Sequence, residues 1–141
     1  MGAETVVREV SGPADLSLVD AVHEALDDMW EAVPDVSDED RMLFALAVSE
    51  IATNVVEHAT GEQEATVSIR LSVAADELVA VMSDDADPAL IRLDRVSMPD
   101  ADAESGRGLA LALAALDELR HEADDGNVWV LRRERRSPGA D

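Results

Sequence analysis

The chain has 141 residues and a net charge of −21, and 47% of its residues are hydrophobic, which fits one folded domain and excludes a disordered chain. The charge argues against a nucleic-acid ligand, because most of the surface would repel phosphate backbones, whereas a basic protein partner or simple solubility would explain it equally well. Cysteine is absent, which excludes disulfides and thiol catalysis, and lysine is absent, which excludes a Walker A loop and a Lys-dependent protein kinase.

The first predicted elements are a short strand and a helix. Residues 5–10 alternate weakly and predict a strand that Ser11-Gly-Pro13 closes. Asp15 can cap a helix that runs to about Val33 and ends before Pro34. The predicted inner face of this helix consists of Leu18, Val22, Ala25, Leu26 and Met29.

The second predicted helix begins at a capping pair, Ser37 with Asp40, and runs to about Ala59 before Gly61 stops it. Its apolar arc consists of Phe44, Val48, Ile51, Ala52, Val55 and Val56.

The polar residues of this helix share one stripe. At about 100° per residue, with Glu50 at zero, Asn54 lies at about 40° and His58 at about 80°. Glu57 lies at roughly −20° on the same scale. A carboxylate one turn before an amide suits Mg²⁺ and phosphate chemistry, because a hard cation takes oxygen ligands and a base must lie nearby. A solvated polar face of an ordinary amphipathic helix would give the same pattern.

A hairpin and a long loop follow. Residues 65–74 alternate as a half-buried strand, Asp76-Glu77 forms the turn, and residues 78–82 return as a second strand. The segment from Asp84 to Glu104 has no sustained period and is rich in acidic residues, which is typical of a lid. Asp84 itself could accept a hydrogen bond from the exocyclic amine of adenine, or it could be a solvated or capping residue.

The last predicted elements are a helix and a second hairpin. Residues 108–119 form an apolar Ala/Leu-rich helix, and residues 120–123 and 127–133 form a hairpin around Asp125-Gly126. A frayed tail is predicted for residues 135–141. Four arginines near this end form either a partner surface or a solvated terminus: Arg132, Arg133, Arg135 and Arg136.

Ser105-Gly-Arg-Gly-Leu109 lies just before the apolar helix and has the composition of a phosphate cradle. Glycines permit close backbone approach, and the free N–H groups of a helix start face an anion. A tight loop before a buried helix is the alternative interpretation.

These elements predict an α+β fold, a two-layer sandwich with helices on one face of a mixed or mainly antiparallel sheet. We expect a single domain over residues 1–141, with a core at about 14–134. No apolar run is long enough to span a bilayer and no secretory signal begins the chain, so no membrane role and a cytoplasmic location are predicted.

In this order and spacing, the motifs resemble the GHKL (Bergerat-fold) ATPase domain of DNA gyrase, MutL and sensor histidine kinases. Within it the chain is most similar to small serine/threonine kinases that act as bacterial anti-sigma factors. The resemblance is specific at Ala47-Val-Ser-Glu-Ile-Ala-Thr-Asn54 with Glu57-His58, and at Gly106-Arg-Gly-Leu-Ala-Leu111 with Leu116-Asp117-Glu118.

The resemblance implies ATP and Mg²⁺ as ligands and assigns a role to each motif. Glu50 would be the general base for a substrate serine, Asn54 would coordinate Mg²⁺, and Asp84 would bind adenine. The phosphates would be contacted by Ser105, Gly106, Arg107, Gly108 and Leu109. The partners would be an anti-anti-sigma protein that is phosphorylated and a sigma factor that is bound. The chain could also form a homodimer through the first strand and helix.

The adenine loop departs from the family pattern Asp-x-Gly-x-Gly, since this chain reads Asp84-Asp85-Ala86-Asp87-Pro88. Pro88 fixes a backbone angle, and Asp85 and Asp87 add negative charge beside a polyanionic ligand. Two other functions therefore stay open. One is a binding module of the same fold that sequesters its partner without catalysis, and the other is a regulatory ATPase.

Overall fold

The computed structural model describes residues 5–59, 65–85, 104–123 and 127–136, and at 58–59, 104–108 and 123 it describes the backbone alone. The elements follow in the order β1 (Val6–Pro13), α1 (Leu16–Ala32), α2 (Asp38–Ala59), β2 (Thr66–Val73), β3 (Glu77–Asp84), α3 (Glu104–Ala115), β4 (Glu118–Ala123) and β5 (Asn127–Glu134). The strands form one sheet in the order β1-β2-β3-β5-β4, with every neighbouring pair antiparallel. The predicted α+β sandwich is confirmed, and the sheet within the described residues is wholly antiparallel. No helix in this described part is both long and apolar enough to cross a membrane.

Both long helices begin at the caps that the sequence predicts. The Asp15 side chain accepts a hydrogen bond from the Ser17 N–H at 2.9 Å, and the Ser37 hydroxyl accepts one from the Asp40 N–H at 3.1 Å. These side chains satisfy N–H groups that have no partner within their own helix. The three acidic residues in the first turn of α2 also complement the positive end of the helix dipole.

The core lies between the helices and one face of the sheet. Along β2 the side chains alternate, with Val67, Ile69, Leu71 and Val73 buried against the helices. The predicted inner face of α1 is buried as expected, apart from Ala25, which is partly buried. Trp30, which was not among the predicted core residues, contacts Phe44 with its ring edge-to-face at a centroid distance of 6.4 Å.

The first strand is longer than predicted. Residues Ser11 to Pro13 do not close it but continue the pairing with β2, ending with Pro13 opposite Thr66. Because β1 is an edge strand of the sheet, a proline lacking an N–H costs no ladder hydrogen bond on its open side.

The third helix is shifted four residues toward the N-terminus of the chain relative to the predicted 108–119. It begins at Glu104 and ends at Ala115, because the backbone then joins the sheet. Asp117 donates from its N–H to the Arg132 carbonyl oxygen at 2.8 Å, and Glu118 opens β4. Strand pairing therefore overrides the helix propensity of residues 116–119.

Arg135 and Arg136 are bonded to the body of the domain, although the side chain of Arg136 is 49% exposed. Arg135 donates from its N–H to the Asp76 carbonyl oxygen at 3.0 Å and from its guanidinium to Ala74 at 2.8 Å. Arg136 donates to Asp117 at 2.8 Å. The first two residues of the predicted frayed segment 135–141 are therefore held in place, and residues 137–141, like residues 86–103 of the predicted lid, lie outside the described residues.

Asp117 gives the fold a pH dependence that can be measured. The hydrogen bond from Arg136, together with one from the Glu134 N–H at 2.6 Å, lowers the pKa of Asp117 from 3.8 to about 2. A lowered pKa means that the folded state favours the carboxylate, so this stabilisation is complete above pH 3.8 and is lost as the pH falls toward 2.

We therefore expect Asp117→Asn to lower the free energy of unfolding at pH 7 by about 1 kcal/mol, after allowance for solvent screening. Urea denaturation at pH 7 and pH 3 should show the difference between the variant and the wild type shrinking at the lower pH. Asp27→Asn, at an exposed position on α1, is the control. A difference that grew on acidification would contradict the assignment.

Candidate functional site

A buried ion pair fixes where α2, α3 and β5 meet. Arg133 on β5 donates from Nε to Asp40 Oδ1 at 3.0 Å and from Nη1 to the carbonyl oxygen of Ala115 at 2.9 Å. Asp40 lies in the first turn of α2, and Ala115 is the last residue of α3. The start of α2, the end of α3 and the end of β5 therefore lie together.

The opposite end of the sandwich collects the residues that the sequence singles out. Distances along each element from the ion pair follow from about 1.5 Å per helical residue and about 3.4 Å per strand residue. On this measure Asn54 lies about 21 Å along α2 and Glu104 about 17 Å along α3. Asn127 lies about 20 Å along β5. Asp84, the last residue of β3, pairs directly with Asn127. Because α2 packs against α3, β3 and β5, these positions lie at one end of the sandwich, here named the site end.

Asp84 presents its carboxylate toward the helix layer at the site end. Leu78, Ala80 and Met82 on β3 are buried under the helices, and strand alternation places Asp84 on the same face. Asn127 donates from Nδ2 to Asp84 Oδ1 at 3.0 Å. The carboxylate is therefore half-buried and held by its cross-strand neighbour.

Glu50 and Asn54 lie one turn apart on α2, and both are half-buried, whereas Ile51 and Val55 are buried in the core. Mg²⁺ in nucleotide sites usually takes one or two protein oxygen ligands and completes its shell with phosphates and water. The Asn54 amide oxygen fits that pattern, with the Glu50 carboxylate one turn away. The residues present therefore fit a Mg²⁺ ion that enters with a nucleotide.

The predicted phosphate cradle is part of a helix. Residues 105–108 lie in the first turns of α3, which begins at Glu104, and do not form a loop before the helix. The start of this helix still lies at the site end, where the N–H groups of the first turn have no partner within the helix and attract anions. Gly108 lies one turn further on, where a helical N–H bonds the carbonyl oxygen four residues earlier, here that of Glu104. The side chain of Leu109, which the resemblance places among the phosphate contacts, is 6% exposed and packs in the core.

The altered adenine loop is described only at its first two residues. Asp85, which the sequence analysis treated as a repulsive charge beside the ligand, accepts a hydrogen bond from the Thr66 N–H at 2.8 Å. This bond ties the end of β3 to the start of β2. Residues 86–88 lie outside the described residues, as do the side chains of His58 and Arg107.

Two residues at the site end were not predicted from the sequence. Asn127 is buried beside Asp84, and His121 Nε2 lies 3.0 Å from Asn127 Oδ1. The alternation of Asn127, Trp129 and Leu131 on a buried strand face could have indicated that Asn127 points inward. The pairing of Asn127 with Asp84 could not be predicted from that pattern, because it depends on the register of β3 with β5.

Comparison with known structures identifies the class of fold. A histidine kinase domain from the Erythrobacter litoralis EL346 blue-light activated histidine kinase matches with a TM-score of 0.54 and 18% sequence identity. The match covers 83% of this chain and 59% of that chain. At this identity the likeness establishes the fold, which is that of a histidine-kinase-like ATPase. No curated protein matches the chain.

Residues 12–133 match the model of the histidine kinase-like ATPase domain family, and the chain belongs to that family. The matched range takes in every described helix, the strands β2 to β4, all of β5 but its last residue, and only the last two residues of β1. Family membership supports ATP binding.

Proposed function

We propose that the protein is a serine/threonine kinase that binds Mg·ATP at the site end, phosphorylates an anti-anti-sigma protein and acts as an anti-sigma factor. The ATP-using part is supported by the family. The choice of a serine or threonine acceptor and of sigma-factor partners is supported by the motif resemblance around Glu50 and Asn54 and at residues 106–118.

The proposed chemistry uses few side chains. Glu50 accepts the proton of the acceptor hydroxyl while the oxygen of that hydroxyl forms a bond to the γ-phosphorus. The bond between the γ-phosphorus and the bridging oxygen breaks, and ADP leaves. Asn54 would hold Mg²⁺, which supplies charge neutralisation when bound. Asp84 accepts a hydrogen bond from the exocyclic amine of adenine. Phosphoryl transfer depends mainly on positioning and charge neutralisation, so this set is sufficient.

The observation that carries the proposal is the convergence of three separate sequence motifs at the site end. Asn54 on α2, Asp84 on β3 and the first turn of α3 reach it from different elements. A nucleotide needs these three functions together: a ligand for Mg²⁺, a base-recognition group and a phosphate-facing backbone. An ordinary amphipathic helix would explain the stripe on α2, but it would not explain why the other two motifs lie beside it.

The first test is calorimetric titration of Mg·ATP into wild-type protein and Asn54→Ala. We expect saturable binding to the wild type and loss of measurable binding in the variant, because the Mg²⁺ ligand is removed. Glu39→Gln, an exposed change in the first turn of the same helix at the far end, should bind as the wild type does. Thermal unfolding of each variant would show that the fold is intact.

A second candidate function is a sequestering module without catalysis. The net charge of −21 favours it, since such a surface attracts a basic partner, and so does the absence of both glycines from the adenine loop. No binding by the wild type at millimolar Mg·ATP would reject the kinase proposal and leave this one. Normal ATP binding by Asn54→Ala would reject the assigned role of Asn54.

A further inference from the structure

Three side chains at the site end form a chain of hydrogen bonds that leads away from Asp84. Asn127 Nδ2 donates to Asp84 Oδ1 at 3.0 Å, and Asn127 Oδ1 lies 3.0 Å from Nε2 of His121. Asn127 is 3% exposed. The His121 ring stacks on Trp129 at a centroid distance of 4.3 Å and an interplanar angle of 39°. The chain therefore links the carboxylate at the end of β3 to the edge strand β4.

Hydrogen-bond chemistry fixes the direction of this chain. A carboxylate offers acceptors, so the Asn127 amide turns its NH₂ group toward Asp84 and its oxygen toward His121. An amide oxygen can only accept, so Nε2 of His121 must carry a hydrogen. The neutral Nε2–H tautomer and the imidazolium both satisfy this requirement, whereas the Nδ1–H tautomer does not.

We propose that Asn127 and His121 are positioning residues that make the site selective for adenine over guanine. They hold Asp84 in one orientation, in which its carboxylate accepts the exocyclic amine of adenine. Guanine carries a carbonyl oxygen at the equivalent ring position, and two acceptors repel each other. This inference rests on the proposed nucleotide site, with Asp84 as its base-recognition group.

The strand geometry supports a positioning role in place of direct ligand contact for His121. Asn127 on β5 is paired with Asp84 on β3. His121 lies on the edge strand β4, where it pairs with Trp129 of β5, and it is therefore one strand further from β3. Asn127 lies between the histidine and the carboxylate. His121 therefore acts on Asp84 through the orientation of the Asn127 amide.

The first experiment needs no nucleotide. Long-range ¹H–¹⁵N correlation spectra of the wild-type protein report which imidazole nitrogen of His121 carries a hydrogen. We expect a protonated Nε2 throughout the neutral pH range. An Nδ1–H tautomer, with a bare Nε2, would overturn the proposal because Nε2 could not donate to the Asn127 oxygen.

The second experiment measures selectivity. His121→Phe keeps a ring against Trp129 but removes the N–H donor, and His121→Gln replaces the donor. Calorimetric titrations with Mg·ATP and Mg·GTP should show His121→Phe weakening ATP binding about 3- to 10-fold, the effect of one buried hydrogen bond, with GTP binding unchanged. His121→Gln should restore the preference. Glu122→Gln, an exposed change on the same strand, is the matched control.

The outcomes separate this inference from the proposed function. If the wild type binds neither nucleotide, both fail together. If the wild type prefers ATP and His121→Phe keeps that preference, only the positioning role fails. An equal loss for ATP and GTP, or a loss in His121→Gln as large as in His121→Phe, also overturns it, because the ring and not the donor would then matter. If His121→Phe does not fold, the tautomer of His121 in the wild-type protein decides whether the positioning role stands.

Discussion

Arg133→Met should lower the free energy of unfolding by about 3–5 kcal/mol, because it leaves the Asp40 carboxylate buried without its cation. The two side chains are 5% and 1% exposed, so water cannot replace the lost partner. The variant also removes the hydrogen bond to the last carbonyl of α3 at Ala115. A loss of this size is a large share of the roughly 5–15 kcal/mol that holds a typical domain folded. Urea denaturation measures it.

The neighbouring arginine is the matched control for this prediction. Arg132 contacts three carboxylates, Glu77, Glu118 and Glu134, at 3.2 to 3.5 Å, but it points to the open face of the sheet and its side chain is 31% exposed. Solvent screens such pairs, so Arg132→Met should cost much less although it removes more contacts. Equal losses in the two variants would contradict the argument from burial.

A double variant that removes both charges of the buried pair tests whether the loss of stability comes from an unpaired charge. Asp40→Leu combined with Arg133→Met replaces both charges with apolar side chains, and it should recover part of the stability lost in Arg133→Met. Full recovery is not expected, because the Asp40 carboxylate also accepts the Arg136 N–H at 2.8 Å. No recovery at all would show that the loss comes from packing and not from an uncompensated charge.

The fold follows from local signals more fully than the site does. The caps at Asp15 and Ser37 and the alternation along β2 are short-range patterns, and the structure places them where the sequence predicts. The start of α3 was misplaced because Gly106 and Gly108 were interpreted as a break. Glycine weakens a helix by only about 0.5–1 kcal/mol relative to alanine, and the packing of α3 against α2 outweighs that cost.

The contacts that organise the site depend on long-range pairing and were not predictable from spacing. Asp40 and Arg133 are far apart in the chain, and the sequence indicated a helix-capping residue for the first and either a partner surface or a solvated end for the second. Asn127 becomes a neighbour of Asp84 only through the register of β3 with β5. The sequence could therefore predict Glu50 and Asn54 on one helical stripe, since helical periodicity alone fixes that arrangement. It could not predict the buried groups that hold Asp84.

The proposed roles of Glu50 and Asn54 separate binding from chemistry, and this separation can be tested on α2 alone. Both side chains are half-buried and lie one turn apart. If Asn54 holds the Mg²⁺ of Mg·ATP and Glu50 accepts the proton of the attacking hydroxyl, removing one should abolish binding and removing the other should not. A purely structural role for the stripe predicts similar effects for both.

Glu50→Gln should therefore lower the rate of phosphoryl transfer by about 100-fold or more while leaving the affinity for Mg·ATP within a few-fold of the wild type, because an amide cannot accept the proton. ADP release at saturating Mg·ATP, with and without an acceptor protein, measures the rate, and calorimetry measures the affinity. Glu57→Gln removes an exposed carboxylate from the same stripe two turns on and should change neither quantity strongly. A Glu50→Gln variant with the wild-type rate would exclude Glu50 as the base, and one that lost ATP binding would place it among the ligand-holding residues.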